Sequence, residues 1–157
     1  MHLNERQPMT DILFYHLTES KLEDAMPPIL EKSIERGWRV LIQTTSKERC
    51  VELDAHLWQF RDDSFLPHGI EGETGEENQP ILLTVNDGNT NGANVRMFID
   101  GAQPSSLDGY ERAVFMFDGF DAAQLHFARA NWKELKAAGH SLTYWQQSPD
   151  GRWQKKA

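Results

Sequence analysis

The first 58 residues alternate short apolar runs with helix-periodic segments, and this alternation confines the chain to an α/β fold. Ile12-Leu13-Phe14-Tyr15-His16-Leu17 is apolar and aromatic without a period of two, the pattern of a strand covered on both faces. Ser20 is placed to cap a helix whose apolar positions Leu22, Met26, Ile29, Leu30 and Ile34 recur with a 3.6 period. Pro27-Pro28 predicts a kink or restart in that helix, and Gly37 supplies the left-handed residue that helices favour at their close. Val40-Leu41-Ile42 is a second buried strand. Ser46 then opens a helix with Cys50, Leu53 and Leu57 along one side. Strand, helix, strand, helix in that order implies a right-handed crossover and parallel strands.

The remainder continues the theme. Residues 62–79 read as a loop around Phe65-Leu66-Pro67-His68-Gly69, and Pro80 introduces a strand over Ile81–Val85. Residues 86–94, NDGNTNGAN, form a turn-prone loop with nothing to pack. Val95–Ile99 and Ala113–Phe117 are further strands. Asp121 is placed to cap a long helix over residues 122–138 that Gly139 ends, and Leu142–Gln147 pairs with Arg152–Gln154 across a turn marked by Asp150-Gly151. The expected architecture is a three-layer, Rossmann-like α/β domain with a mixed, mostly parallel sheet. Residues 10–157 form one domain behind a polar lead-in at 1–9, which suits a chain of 157 residues.

Charge restricts the partners. The net charge of −8 disfavours strong direct binding to DNA or RNA, whose phosphates it repels. The charge is uneven, because residues 129–157 carry six basic groups against two acidic ones, a local net of +4. No apolar run reaches membrane-spanning length and no leader pattern opens the chain, so neither a membrane span nor a secretory signal is expected. One cysteine, Cys50, makes no internal disulfide and fits the cytoplasm.

An alternating α/β chain raises the question of nucleotide binding. The turn after the first strand, His16-Leu17-Thr18-Glu19-Ser20, has no glycine, and no phosphate loop ending in Gly-Lys-Ser/Thr occurs. Side chains there crowd the close backbone approach a pyrophosphate needs, so no nucleotide cofactor is expected. The six histidines are scattered without metal-ligand spacing, so no metal is expected either. His68, between Pro67 and Gly69, is the one residue that could serve as an acid or base. It is the basis of an alternative reading, a small enzyme acting on nucleotides or nucleic acid; the plainer reading is a histidine that fixes its turn. No nucleophile, base and oxyanion donor assemble, so no catalytic residue is assigned.

Two segments have the makings of binding surfaces. Arg129, Trp132, Lys133 and Lys136 fall at i, i+3, i+4 and i+7, in a row on one helix face. A large aromatic flanked by fixed cations suits an acidic peptide that ends in an apolar side chain and a free carboxylate. Trp58, Phe60 and Phe65 concentrate large aromatics where one loop needs few, and Trp and Phe are common interface anchors.

Leu53-Asp54-Ala55-His56-Leu57-Trp58 followed by Ser64-Phe65-Leu66-Pro67-His68-Gly69 resembles the pattern of the chi-subunit family of bacterial DNA polymerase III. The resemblance extends to Gly37-Trp38-Arg39-Val40-Leu41-Ile42 and to Arg129-Ala130-Asn131-Trp132-Lys133 with its closing Gly139, and it covers Thr10 to Trp145. It implies a non-catalytic accessory subunit of the clamp-loader assembly with two partners. The acidic C-terminal tail of single-stranded-DNA-binding protein would meet Arg129, Trp132, Lys133, Lys136 and Gly139. The psi subunit would meet Trp58, Phe65, Pro67 and His68. Trp132 stands where the family often has tyrosine, which keeps the apolar wall and loses a hydroxyl.

Overall fold

Among the described residues, 10–60 and 66–157 of a computed structural model, the elements follow in the order β1 (Asp11–Leu17), α1 (Leu22–Glu35), β2 (Val40–Gln43), α2 (Lys47–Gln59), β3 (His68–Ile70), β4 (Ile81–Thr84), β5 (Val95–Phe98), β6 (Arg112–Asp118), α3 (Ala122–Ala137), β7 (Ser141–Gln147) and β8 (Trp153–Lys155). The strands make one sheet in the order β3-β4-β2-β5-β6-β1-β7-β8. Every pair is parallel except the β7–β8 hairpin. The mixed, mostly parallel α/β sheet expected from the sequence is therefore the one observed.

Alternation along each strand divides the core into two layers. Leu17, Val40, Ile42, Ile81, Leu83, Val95, Met97, Val114 and Met116 face α1 and α2, where Met26, Leu30, Cys50, Leu53 and Leu57 meet them. Ile12, Phe14, Phe98, Ala113, Phe115 and Phe117 face the other way, onto Ala128 and the inner side of α3. The central strands lack polar alternation because both faces are covered.

Several local expectations are met by their expected groups. Ser46 accepts the Arg49 N–H and starts α2, and Asp121 accepts from Ala123 and Gln124 at the start of α3. Gly37 closes α1 at φ +80°, with Trp38 N–H reaching back to Ser33 O, and Gly151 at φ +86° turns the hairpin. Others are corrected. Ser20 does not cap α1; Lys21 takes that place without a side-chain bond, while Ser20 is held by Gln147. The helix also does not restart at Pro27-Pro28; a single helix runs through both prolines to Glu35. Two missing N–H groups cost two helical bonds, which the burial of Met26, Pro27 and Leu30 against the sheet offsets. The stretch expected to be loop contains β3, a three-residue edge strand, and a short 3-10 turn at Glu76–Asn78.

The asparagine-rich segment 86–94 is the largest correction, because it packs. Leu41 and Leu82 lie on the α3 side of the sheet, beyond the reach of α3, and Ala93 and Tyr110 cover them. Asn91, 1 % exposed, donates to Val40 O and Gln79 O. Asn94 accepts from Arg39 N–H, and Asn89 bonds Ala93 in both directions. Arg96, 2 % exposed, donates to Gly88 O, Asn86 O, Gln43 Oε1 and Tyr110 Oη beneath the same loop. Glu71 takes bonds from Thr84, Thr90 and Asn86. Burial opposes its ionisation, but those donors prevail and hold the carboxyl below its usual range. The third layer is thus helical over β6, β1 and β7 and built of hydrogen-bonded loop over β4, β2 and β5.

Candidate functional site

The first surface is the outer side of α3. Its cap and its seat on β6 and β7 fix the helix, so Arg129, Lys133 and Lys136 stand exposed in a row while Trp132 turns half inward. The Trp132 ring meets Phe14 edge-on at 5.3 Å and Tyr144 at 5.6 Å. The Lys136 ammonium lies 6.0 Å from the ring centroid, at the outer limit of a cation–π contact. The indole is therefore both a core side chain and a fixed wall beside three cations. Gly139 follows at φ +92°, and its N–H closes on Lys136 O.

Two residues join this surface that the sequence reading did not include. Tyr144 on β7 lies beside Trp132, and its hydroxyl bonds His16 Nδ1 of β1 at 2.8 Å. His16 in turn stacks on Phe117 at 4.8 Å. Burial first and the Arg129 cation second push the His16 pKa down, with Asp118 opposing. Burial raises the Tyr144 pKa, and Arg129 works against that rise. The Arg129 charge is thus felt at the floor beside Trp132. The alternation of Leu142 and Tyr144 along β7, toward α3, was the signal that could have included Tyr144.

The second surface is at the far edge of the sheet. Trp58, on the last turn of α2, is 56 % exposed. Its ring lies 4.4 Å from that of His68 on β3. His68 is buried, with Nδ1 2.6 Å from Leu66 O and Nε2 3.1 Å from Asp54 O. The Asp54 carboxylate stands 3.2 Å from the same Nε2. Both ring nitrogens thus face oxygens of the protein, which makes His68 a brace between α2 and β3 under an exposed indole. Leu66 is buried and Pro67 half-buried beside it, while Phe65 lies outside the described residues. Trp58 stacks over β3 and Trp132 over β1, five strand intervals apart, or about 24 Å at ~4.8 Å each. They also lie on opposite faces, so the two groups form two surfaces and not one site.

A third feature bears on chemistry. At the carboxyl ends of β1 and β6, where the chain's winding direction reverses, lies a crevice of about 350 Å³ lined in part by Thr18, Arg49, Asp100 and Phe120. This is where open α/β sheets usually take ligands. Here Gln147 Oε1 accepts the N–H groups of Thr18, Glu19 and Ser20 at 3.1, 2.9 and 3.0 Å. Arg49 is shared between Glu23 and Asp100. The Thr18, Glu19 and Ser20 N–H groups and the Arg49 guanidinium are thus engaged internally, while the exposed Lys21 also lines the crevice. No cluster of three metal-ligating side chains occurs among the described residues.

A family profile described as "DNA polymerase III chi subunit, HolC" matches residues 9–143. DNA polymerase III subunit chi of Haemophilus influenzae is 25% identical over 134 residues, covering 83% of this chain and 92% of that protein. The "Probable DNA polymerase III subunit chi" of Rickettsia prowazekii is 22% identical over 154 residues, covering 94% of this chain and 92% of that protein. DNA polymerase III subunit chi of Pseudomonas aeruginosa shares 33% identity over a shorter stretch of 55 residues, 35% of this chain and 37% of that protein. With a matched span that takes in β1 through the whole of α3 and the start of β7, the chain belongs to the DNA polymerase III chi subunit family of non-catalytic replication accessory subunits.

Proposed function

We propose that this protein is an adaptor in the clamp-loader assembly, holding the acidic C-terminal tail of single-stranded-DNA-binding protein on α3 and the psi subunit at the Trp58–His68 edge. The observation that carries the reading is the arrangement on α3. An indole fixed against Phe14 and Tyr144 stands among Arg129, Lys133 and Lys136, on a basic end of an acidic protein. An apolar terminal side chain would lie against the Trp132 ring, and a terminal carboxylate would take charge-assisted bonds from Arg129 or Lys133. The distance and the opposite facing of the two surfaces allow both partners at once. Trp58 supports the second contact as an exposed indole whose position the buried His68 sets.

Calorimetry with a synthetic acidic peptide ending in phenylalanine tests the reading. One charge-assisted bond contributes about 1.5–3 kcal/mol, so Lys133→Ala or Arg129→Ala should weaken binding about 10- to 150-fold. Binding should also weaken as salt rises. Wild-type affinity in both variants would end the assignment of α3. Trp58→Ala should reduce co-purification with psi while leaving peptide affinity on α3 unchanged.

A further inference from the structure

The face of the sheet opposite α3 holds a groove outside both contacts proposed above. It runs between α1 and residues of β6, β1 and β8 and has a volume of about 440 Å³, within the ~300–1,000 Å³ of clefts that hold ligands. Its floor is apolar: Leu13, Tyr15 and Val114 from the sheet, and Trp153 from the hairpin. Trp153 meets Tyr15 edge-to-face at 4.9 Å. Pro28 and Ile29 of α1 make the opposite wall.

The rim is basic. Lys32, Arg36 and Arg112 line it with Glu35, and Asp11 pairs with Arg112, so three cations face two carboxylates on a protein whose net charge is −8. Two of these cations are held in place. The Arg36 guanidinium lies 4.5 Å from the Trp38 ring centroid and that of Arg112 lies 5.0 Å from it. Arg112 is also tied to Asp11 at 3.0 Å. A cation stacked on an indole gives up little freedom when it meets an anion, so Arg36 is pre-ordered for one.

We propose that this groove docks an acidic segment of a partner protein, with a bulky apolar side chain of that segment entering between Ile29 and Trp153 and its carboxylates meeting Lys32 and Arg36. The charge complementarity selects this occupant. A second copy of the chain, itself strongly acidic overall, would have to bring a local acidic stretch to the same rim.

The proposal stands apart from the reading of α3, and the test separates them. The probe is a peptide of four aspartates around one phenylalanine, acetylated and amidated so that it has no terminal carboxylate. It is titrated into the isotope-labelled full chain and followed by nuclear magnetic resonance. The Trp153 indole N–H and the Ile29 amide should shift saturably. Lys32→Glu with Arg36→Glu, both at exposed positions, should weaken binding about tenfold or more. Arg129→Ala with Lys133→Ala should bind as wild type does. Absence of binding overturns the proposal, as does a response on α3 in place of Trp153 or undiminished binding to the charge-reversed variant. So does movement of the Trp153 signal with protein concentration and no peptide present, which would put a second copy in the groove.

Discussion

Replacing Arg96 by methionine tests the claim that the asparagine-rich loop is a structural layer. Arg96 is buried and donates to four acceptors, of which Asn86 O and Gly88 O belong to the loop. The other two, Gln43 Oε1 and Tyr110 Oη, lie beneath it. Methionine retains much of the stem and removes every donor. The loop carbonyls can turn to water once the loop lifts, but Gln43, 7 % exposed, cannot. Stranded buried acceptors cost about 1–3 kcal/mol each, and recovery of the guanidinium's desolvation gives back part of that. A net loss of about 2–4 kcal/mol is expected, a large share of the ~5–15 kcal/mol of a typical domain. In urea, with a slope of ~2 kcal/mol per molar, the midpoint should fall by about 1–2 M. Hydrogen exchange should quicken at Asn89–Asn94. The double variant Arg96→Met, Gln43→Met, which removes the stranded acceptor with its donor, should recover part of the loss. If Arg96→Met matched the wild type in midpoint and in loop exchange, the argument that this cation pins the third layer would be refuted.

Two further outcomes follow from the floor beside Trp132. The His16 ring should titrate below its ordinary 6.5, because burial and then Arg129 disfavour its charge, and Arg129→Ala should move the midpoint part of the way back up. The folded pKa is depressed, so the unfolded chain binds the proton first. The contribution of His16 to stability is therefore present above the unfolded pKa and lost as pH falls through the folded one. A midpoint unmoved by Arg129→Ala, read from the ring proton signals, would show that the cation does not reach the floor. Gly119→Ala should destabilise by about 1–3 kcal/mol, or about 2–10 °C in Tm by scanning calorimetry. Its new Cβ would lie 2.2 Å from His16 Nε2 and 2.9 Å from Leu17 O. An unchanged Tm would mean that the β1–β6 ends yield more easily than their packing implies.

The parts of the fold legible in the sequence were those encoded locally. Ser46, Asp121, Gly37 and Gly151 each act within a few residues, and the apolar runs of the central strands are continuous because two layers bury them. What was not legible depends on distant partners. β3 is only His68-Gly69-Ile70, too short to show a period, and exists because β4 pairs with it. The strand order, with β5 and β6 inserted between β2 and β1, is set by later segments and not by the residues of β1 or β2. Asn91 looked like turn chemistry because its acceptors, Val40 O and Gln79 O, lie in other segments. On α3 the helical spacing gave the row of cations, but not that Tyr144 and His16 complete the floor, since β7 and β1 become neighbours only in the folded sheet.

Gln147 has a consequence for what this scaffold can evolve to bind. Thr18, Glu19 and Ser20 direct three N–H groups at one point, which amounts to a small anion receptor at the head of α1. Its occupant is a neutral oxygen borne by the same chain, held in place by a bond from the Gln147 side-chain amide to Ser20 Oγ. A tethered occupant acts at an effective concentration of millimolar or above, and it is always present. Free phosphate or a nucleotide would have to displace a partner that never diffuses away. Any anion drawn to these three N–H groups therefore competes with a side chain of the same sheet, and the head of α1 is tied to β7 by the same contact.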